Sequence, residues 1–129
     1  MPPRPPGTPL GCAAALAVLE VFEKEHLLQR SQEVGEVLRS GLQKLARHHP
    51  SVRDVRGLGS MVAIELFEGD APAGELTRRV VGEARERGLI LLACGSHGNV
   101  LRILVPLTVE DALLAEGLAI LDASLKSAV

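Results

Sequence analysis

Arg102 is the residue in this sequence whose setting most demands a chemical explanation. It interrupts VLRILV, where Val100, Leu101, Ile103, Leu104 and Val105 are all apolar, and a guanidinium among them must find an acid or open onto a cleft. Two readings follow. Glu65, in the similarly apolar stretch VAIEL, would neutralise Arg102 across a sheet. Alternatively, the guanidinium holds a substrate carboxylate through two parallel hydrogen bonds, for which Arg is suited and Lys is not. Spacing alone leaves both open.

The other reactive residue types carry less. Cys94 and His97 stand three apart in a glycine-rich stretch, a separation that a thiol–imidazole pair tolerates, but no nucleophile elbow or fixed Cys and His framework accompanies them. We read a semi-buried thiol beside a surface histidine. His48 and His49 end a helical pattern without a His-Glu-x-x-His motif, so they are expected to face solvent or the helix C-terminal dipole and not to ligate zinc. Gly57-Leu58-Gly59 lacks the rest of a dinucleotide fingerprint and reads as a bend.

The elements that would position these residues follow from periodicity. Five prolines in the first nine residues predict an extended lead-in over 1–9. A helix over 10–26 is apolar or small on nearly every face of its first three turns, so it must be covered on both sides. Its cover is either the rest of this domain or a partner outside it. Val34, Leu38, Leu42 and Leu45 predict a second helix from about Ser31 to His48, closed by Pro50. A strand then runs from Val52 to Arg56, a bend from Gly57 to Gly59, and a second strand from Met61 to Phe67. EGDAPAG is a loop. Leu76, Val80 and Ala84 mark a third helix ending near Gly88, with Glu75–Arg79 and Glu83–Arg87 as i,i+4 pairs. LILLA is a buried strand, and VLRILVPL another. Thr108 and Asp111 frame the last helix as a capping pair, and Leu114, Leu118, Leu121 and Leu125 form its buried stripe. This order predicts an α/β fold of the α+β type: a two-layer sandwich with a mixed or largely antiparallel sheet and helices on one side.

Composition narrows the partners. The 129 residues are 47% hydrophobic and 23% charged, with a formal charge of −2, the profile of one ordinary globular domain. Fourteen basic residues against sixteen acidic ones form no segregated basic tract, and Tyr and Trp are absent, so nucleic acid is not an expected partner. The apolar run at 10–19 stops at Glu20, short of the roughly 20 residues a membrane span needs. Cys12 and Cys94 are too few and too distant for a disulfide framework or a cysteine zinc site, which suits a reducing cytoplasm.

Four phrases, CAAALAVLEVFE, DVRGLGSMVAIELFE, ARERGLILLACG and NVLRILVPLTVEDALLAEGL, together resemble the C-terminal small domain of class III pyridoxal-phosphate-dependent aminotransferases. The resemblance runs from Gly11 to about Leu121, with greatest similarity to the bacterial 4-aminobutyrate enzymes. It implies a homodimer of fold-type I, pyridoxal phosphate held mainly by a large central domain, and amino transfer between an ω-amino acid and 2-oxoglutarate, with glutamate as its product. Residue by residue, it implies that Arg102 binds the α-carboxylate of glutamate or 2-oxoglutarate. It also implies that Gly57, Gly59, Gly95 and Asn99 line the entrance to that site. Thr8 stands where the family usually has asparagine before Pro9. Arg4 stands where it has a threonine that contacts cofactor phosphate across the dimer. The resemblance stops near Gly7.

No catalytic, cofactor-binding or metal-ligating residue of the family maps onto the chain. Lys24, Lys44 and Lys126 lie on predicted helices among charged neighbours, unlike a desolvated amine primed for a Schiff base. The expectation is therefore one domain of a transaminase, supplying a substrate-carboxylate arginine and inactive alone, with no cofactor bound to this chain by itself. The alternatives are a non-catalytic module that docks on an aminotransferase subunit or self-associates through its first helix, and a carboxylate binder that keeps Arg102 without chemistry.

Overall fold

The computed structural model describes residues 7–129. Arg4 and most of the proline-rich lead-in lie outside the described residues. Helix α1, Pro9–Lys24, begins as the sequence dictates: Pro9 occupies the first helical position, and the Thr8 hydroxyl oxygen accepts from the Gly11 N–H at 3.1 Å. Glu25 and His26, the latter in the left-handed conformation at φ 49°, form the break between α1 and helix α2, Leu27–His48. The expected start at Ser31 is thus four residues late. Arg30 explains why the first turn of α2 is held. Its guanidinium donates to the Val109 carbonyl and to the Asp111 carboxylate, both at 2.7 Å, tying that turn to the other end of the chain.

Strand β1, Val52–Leu58, and strand β2, Met61–Glu68, form a hairpin in which Leu58 faces Met61 across a two-residue loop. Gly59 opens that loop at φ +54°, which only glycine adopts freely. The strand therefore continues through Gly57, where a bend was expected. The loop also packs on α2, since Arg39 donates to the Gly59 carbonyl and the Ser60 N–H donates to the Ser31 hydroxyl, each at 3.2 Å. A short strand β3, Ala71–Pro72, folds back on the end of β2 inside what reads as loop.

Helix α3, Gly74–Glu86, stops at Gly88. Two hydrogen bonds, Gly88 N–H to the Arg85 carbonyl and Leu89 N–H to the Ala84 carbonyl, close its last turn. Strand β4, Leu92–Cys94, strand β5, Val100–Ile103, and helix α4, Asp111–Ala128, complete the chain. The main sheet runs β1-β2-β5-β4 and is antiparallel at every junction.

The two-layer arrangement is the expected one. Val34, Leu38 and Leu42 of α2, Leu76 and Val80 of α3, and Leu114, Leu121 and Leu125 of α4 pack on Val62, Ile64, Leu66, Leu101 and Ile103 of the sheet. Helix α1 is not part of this core. It has no buried residue and, among the described elements, touches only α2, so cover from the rest of this domain's core is overturned.

Three smaller expectations are also corrected. LILLA is no buried strand, because Ile90 and Leu92 point outward and β4 begins only at Leu92. Glu75 pairs with Arg78, one turn position earlier than Arg79, which instead donates to the Ala128 carbonyl and faces Glu68. Thr108 and Asp111 form no capping pair; Glu110 is the cap residue, and Asp111 is held by Arg30.

Candidate functional site

Alternation along β2 sends Val62, Ile64 and Leu66 into the helical layer and Ala63 and Glu65 to the opposite face. That opposite face carries no helix of the core. Register fixes a row across it: Arg56 of β1 faces Ala63, Ala63 faces Arg102 of β5, and Arg102 faces Leu92 of β4. Arg102 is therefore exposed, on the sheet's open side, in a strand whose neighbours Leu101 and Ile103 are buried. A groove of about 310 Å³ runs beside it, lined by Ile90, Leu92, Leu104 and Val105 with Arg102 as its one charged residue.

The expectation that Glu65 neutralises Arg102 is overturned. Glu65 Oε2 accepts from Arg56 at 2.7 Å and Oε1 accepts from the Asn99 side-chain amide at 3.2 Å. Arg56 also donates to Asp54, and these two carboxylates, Asp54 first, hold its guanidinium above its already high ordinary pKa. Among the described residues, the Arg102 guanidinium has no hydrogen-bond or ion-pair partner.

The four glycine and asparagine positions divide between the two ends of the sheet. Gly57 faces Val62, one step along β2 from the Arg102 row, and Gly59 lies in the hairpin loop against α2. Gly95 and Asn99 belong to the β4–β5 connection at the other end. Asn99 is buried, and its amide also donates to the Leu66 carbonyl at 3.1 Å, so it fastens the start of β5 to β2 and reaches the Arg102 face only through Glu65.

The remaining candidates stand apart from this face. Cys94 ends β4 and His97 sits in the exposed turn that follows, with no hydrogen bond between them among the described residues. His48 is exposed, but His49 is 5% exposed and within 2.7 Å of Asp122 on α4, so its solvent-facing assignment is corrected. Lys126 first, and His49 second, hold the Asp122 carboxyl below the usual carboxylate range. An open hollow of about 540 Å³ between α2 and α4 lies beside this pair, lined by Lys44, His48, Asp122 and Lys126 among others. No group of three or more metal-ligating side chains gathers among the described residues, and none of their helices is long and apolar enough to cross a membrane.

Sequence reasoning missed Arg56 and Arg30. The signal for Arg56 was present: a two-residue loop at Gly59-Ser60 sets a register that brings Arg56 diagonally beside Glu65. Arg30 had only its i,i+3 neighbour Glu33, because the partners that tie it across the fold lie some eighty residues away.

Comparison with known proteins adds to this geometry. Residues 6–125 match the family described as Aminotransferase class-III. The chain is 59% identical over 118 residues to the 5-aminovalerate aminotransferase of Pseudomonas putida and 56% identical over 119 residues to the 4-aminobutyrate aminotransferase of Escherichia coli. Each match covers 90% of this chain and 28% of the relative, so the chain spans less than a third of either enzyme's length. Among solved structures, a phospholyase from Arthrobacter in complex with phosphoethanolamine superimposes with a TM-score of 0.87 at 34% identity, covering 92% of this chain and 29% of that one.

Proposed function

We propose, from the premise that the chain belongs to the class-III aminotransferase family, that it is the C-terminal small domain of a pyridoxal-phosphate-dependent transaminase. The domain occupies residues 10–129, with α1, Pro9–Lys24 where 10–26 was expected, as the helix that links it to the rest of the enzyme and the proline-rich stretch before it as a lead-in. The whole enzyme moves the amino group of 4-aminobutyrate, 5-aminovalerate or a related ω-amino acid to 2-oxoglutarate. Arg102 holds the α-carboxylate of that acceptor and of the glutamate it becomes. The observation that carries this reading is an unpaired guanidinium on a helix-free sheet face, beside an apolar groove. Its fork suits a carboxylate, and covering the face excludes water and strengthens the contact.

The cofactor belongs to another part of the enzyme, because the lysines here do not fit a Schiff base. Lys24 is exposed and paired with Glu20, Lys126 is exposed and paired with Asp122, and Lys44 is exposed. A large cofactor-binding domain and a second subunit cover α1 and the open face, in the cytoplasm. The isolated chain neither binds pyridoxal phosphate covalently nor transaminates. A stoichiometric aldimine band that survives gel filtration of the chain mixed with cofactor would refute this.

Single-turnover half-reactions of the holoenzyme test the assignment. Arg102→Ala and Arg102→Lys should both slow the 2-oxoglutarate half-reaction by about 10 to 150 fold, the worth of a charge-assisted contact. The half-reaction of an amine lacking an α-carboxylate should change little. Equal loss in both halves at wild-type stability defeats the carboxylate role.

A second reading rests on α1, which has no buried residue although Leu10, Leu16, Val18 and Leu19 all lie on it. In this reading the chain is a non-catalytic module that docks on an aminotransferase subunit or pairs with itself through that helix. Sedimentation of the chain over a concentration series tests the self-pairing, because a chain that stays monomeric at every concentration defeats association through α1.

A further inference from the structure

Glu65 sits between two arginines on the open face. Across the β1–β2 junction it faces Asp54, and Arg56 is its diagonal neighbour; across the β2–β5 junction it faces Val100, and Arg102 is its diagonal neighbour. Diagonal pairs on one face of an antiparallel sheet lie about 7–8 Å apart, within reach of long side chains. Either guanidinium is therefore available to Glu65 by register, yet the carboxylate is taken by one of them.

Its two oxygens are separately engaged, Oε2 by Arg56 and Oε1 by the amide of buried Asn99. Arg56 is in turn fixed by Asp54 on its own strand. Ala63, the one residue directly between Arg56 and Arg102, bears no group that bridges them.

We propose that Arg56 is a positioning residue that holds Glu65 away from Arg102 and so keeps the Arg102 guanidinium free for an anionic ligand. Without Arg56, Glu65 loses its strongest partner and turns to the remaining cation on its face. It then competes as an internal carboxylate with whatever Arg102 binds. The consequence for substrate rests on the carboxylate role of Arg102 proposed above, but the state of the guanidinium can be measured without any substrate.

The test uses the full 129-residue chain, brief treatment with phenylglyoxal, which modifies accessible guanidinium groups, and peptide mass spectrometry to follow each arginine. Arg102 should react faster than Arg56 in the wild-type chain. Arg56→Gln should slow modification of Arg102 by about two- to five-fold, the range expected for a partly exposed ion pair. Arg56→Gln combined with Glu65→Gln should restore the wild-type rate. Loss of packing alone would not produce that rescue. An unchanged or faster Arg102 in the single variant, or no recovery in the double variant, overturns the proposal.

Glu65→Gln alone keeps the question open to refutation should Arg56→Gln lose its cooperative thermal transition. It should raise the reactivity of Arg56 and leave that of Arg102 unchanged, and a faster Arg102 means that Glu65 was shared from the start. None of these outcomes depends on the Arg102 half-reaction, so failure here and failure of the carboxylate assignment are told apart.

Discussion

Ile64 and Glu65 are consecutive in β2, yet one is 1% exposed beneath the helical layer and the other lies diagonally between Arg56 and Arg102 on the uncovered side. The covered face is filled with Leu, Val and Ile, and every side chain there meets another. The open face carries charge, and its partners are chosen by register and not by volume. The same strands thus serve two purposes through a period of two. Stability resides on one face, and the other leaves the Arg102 guanidinium exposed beside the groove, where the proposed carboxylate would dock.

Removing volume from the covered face tests the first half of that contrast and should have the largest effect. Leu101 is fully buried between β2, β4 and the helices. Leu101→Ala should lower the free energy of unfolding by about 2 to 5 kcal/mol, combining lost transfer energy with a residual cavity. Denaturant titration reads this directly. A cost of a few tenths would mean that the two faces are not energetically distinct.

Charge is not confined to the open face, and the helical layer holds a half-buried carboxylate of its own. His49 and Lys126 converge on Asp122 and join the end of α2 to α4. The Asp122 carboxyl is held below its ordinary value, chiefly by Lys126. Stability from this group is therefore complete above the unfolded carboxylate value of about 3.9 and is lost as pH falls through the lowered folded value. Asp122→Asn should cost on the order of 1 to 2 kcal/mol at neutral pH, as expected for a hydrogen bond to a charged group. Its thermal midpoint should also fall less steeply than the wild type's between about pH 4 and pH 2. Parallel midpoint curves for the two proteins would remove Asp122 from the acid response.

The covered face was largely legible in the sequence and the open face only in part. Three- and four-residue spacing in α2, α3 and α4 named Leu38, Leu76, Val80 and Leu121 as core because burial repeats with the helix period. The two-layer arrangement followed from the order of elements, which left the sheet mixed or largely antiparallel where the structure makes every pairing antiparallel. Pairing choices did not follow. Glu65 had two arginines within diagonal reach, and periodicity contains no term that selects between them. Asp111 had a local capping partner in Thr108 and took a distant one in Arg30. His49 looked like a helix-end surface residue because α4, which buries it, lies about seventy residues downstream. Arg102 stood out in the sequence as a charge among apolar neighbours, and the structure sets it on the open face; what it binds is a matter of chemistry that neither periodicity nor register supplies.

The smallest expected effect is the most discriminating. If Arg102 neutralised Glu65 inside the fold, Arg102→Leu would strand a carboxylate and cost several kcal/mol, as breaking buried pairs does. Here Glu65 keeps both of its partners, Arg56 and Asn99, when Arg102 is removed. The arginine is exposed and faces only Ala63 and Leu92 across the sheet, so no paired group is left behind. Arg102→Leu should therefore shift the unfolding free energy of the chain by no more than about 0.5 kcal/mol, the ordinary range for a surface substitution. Leucine extends the apolar lining already supplied by Leu92 and Leu104, so the sign of the shift is free while its size is not. The measurement is the same denaturant titration used for Leu101→Ala. A loss near that of the core variant would show that Arg102 holds the sheet together, and the energetic division between the two faces would fail at the residue proposed to bind the carboxylate.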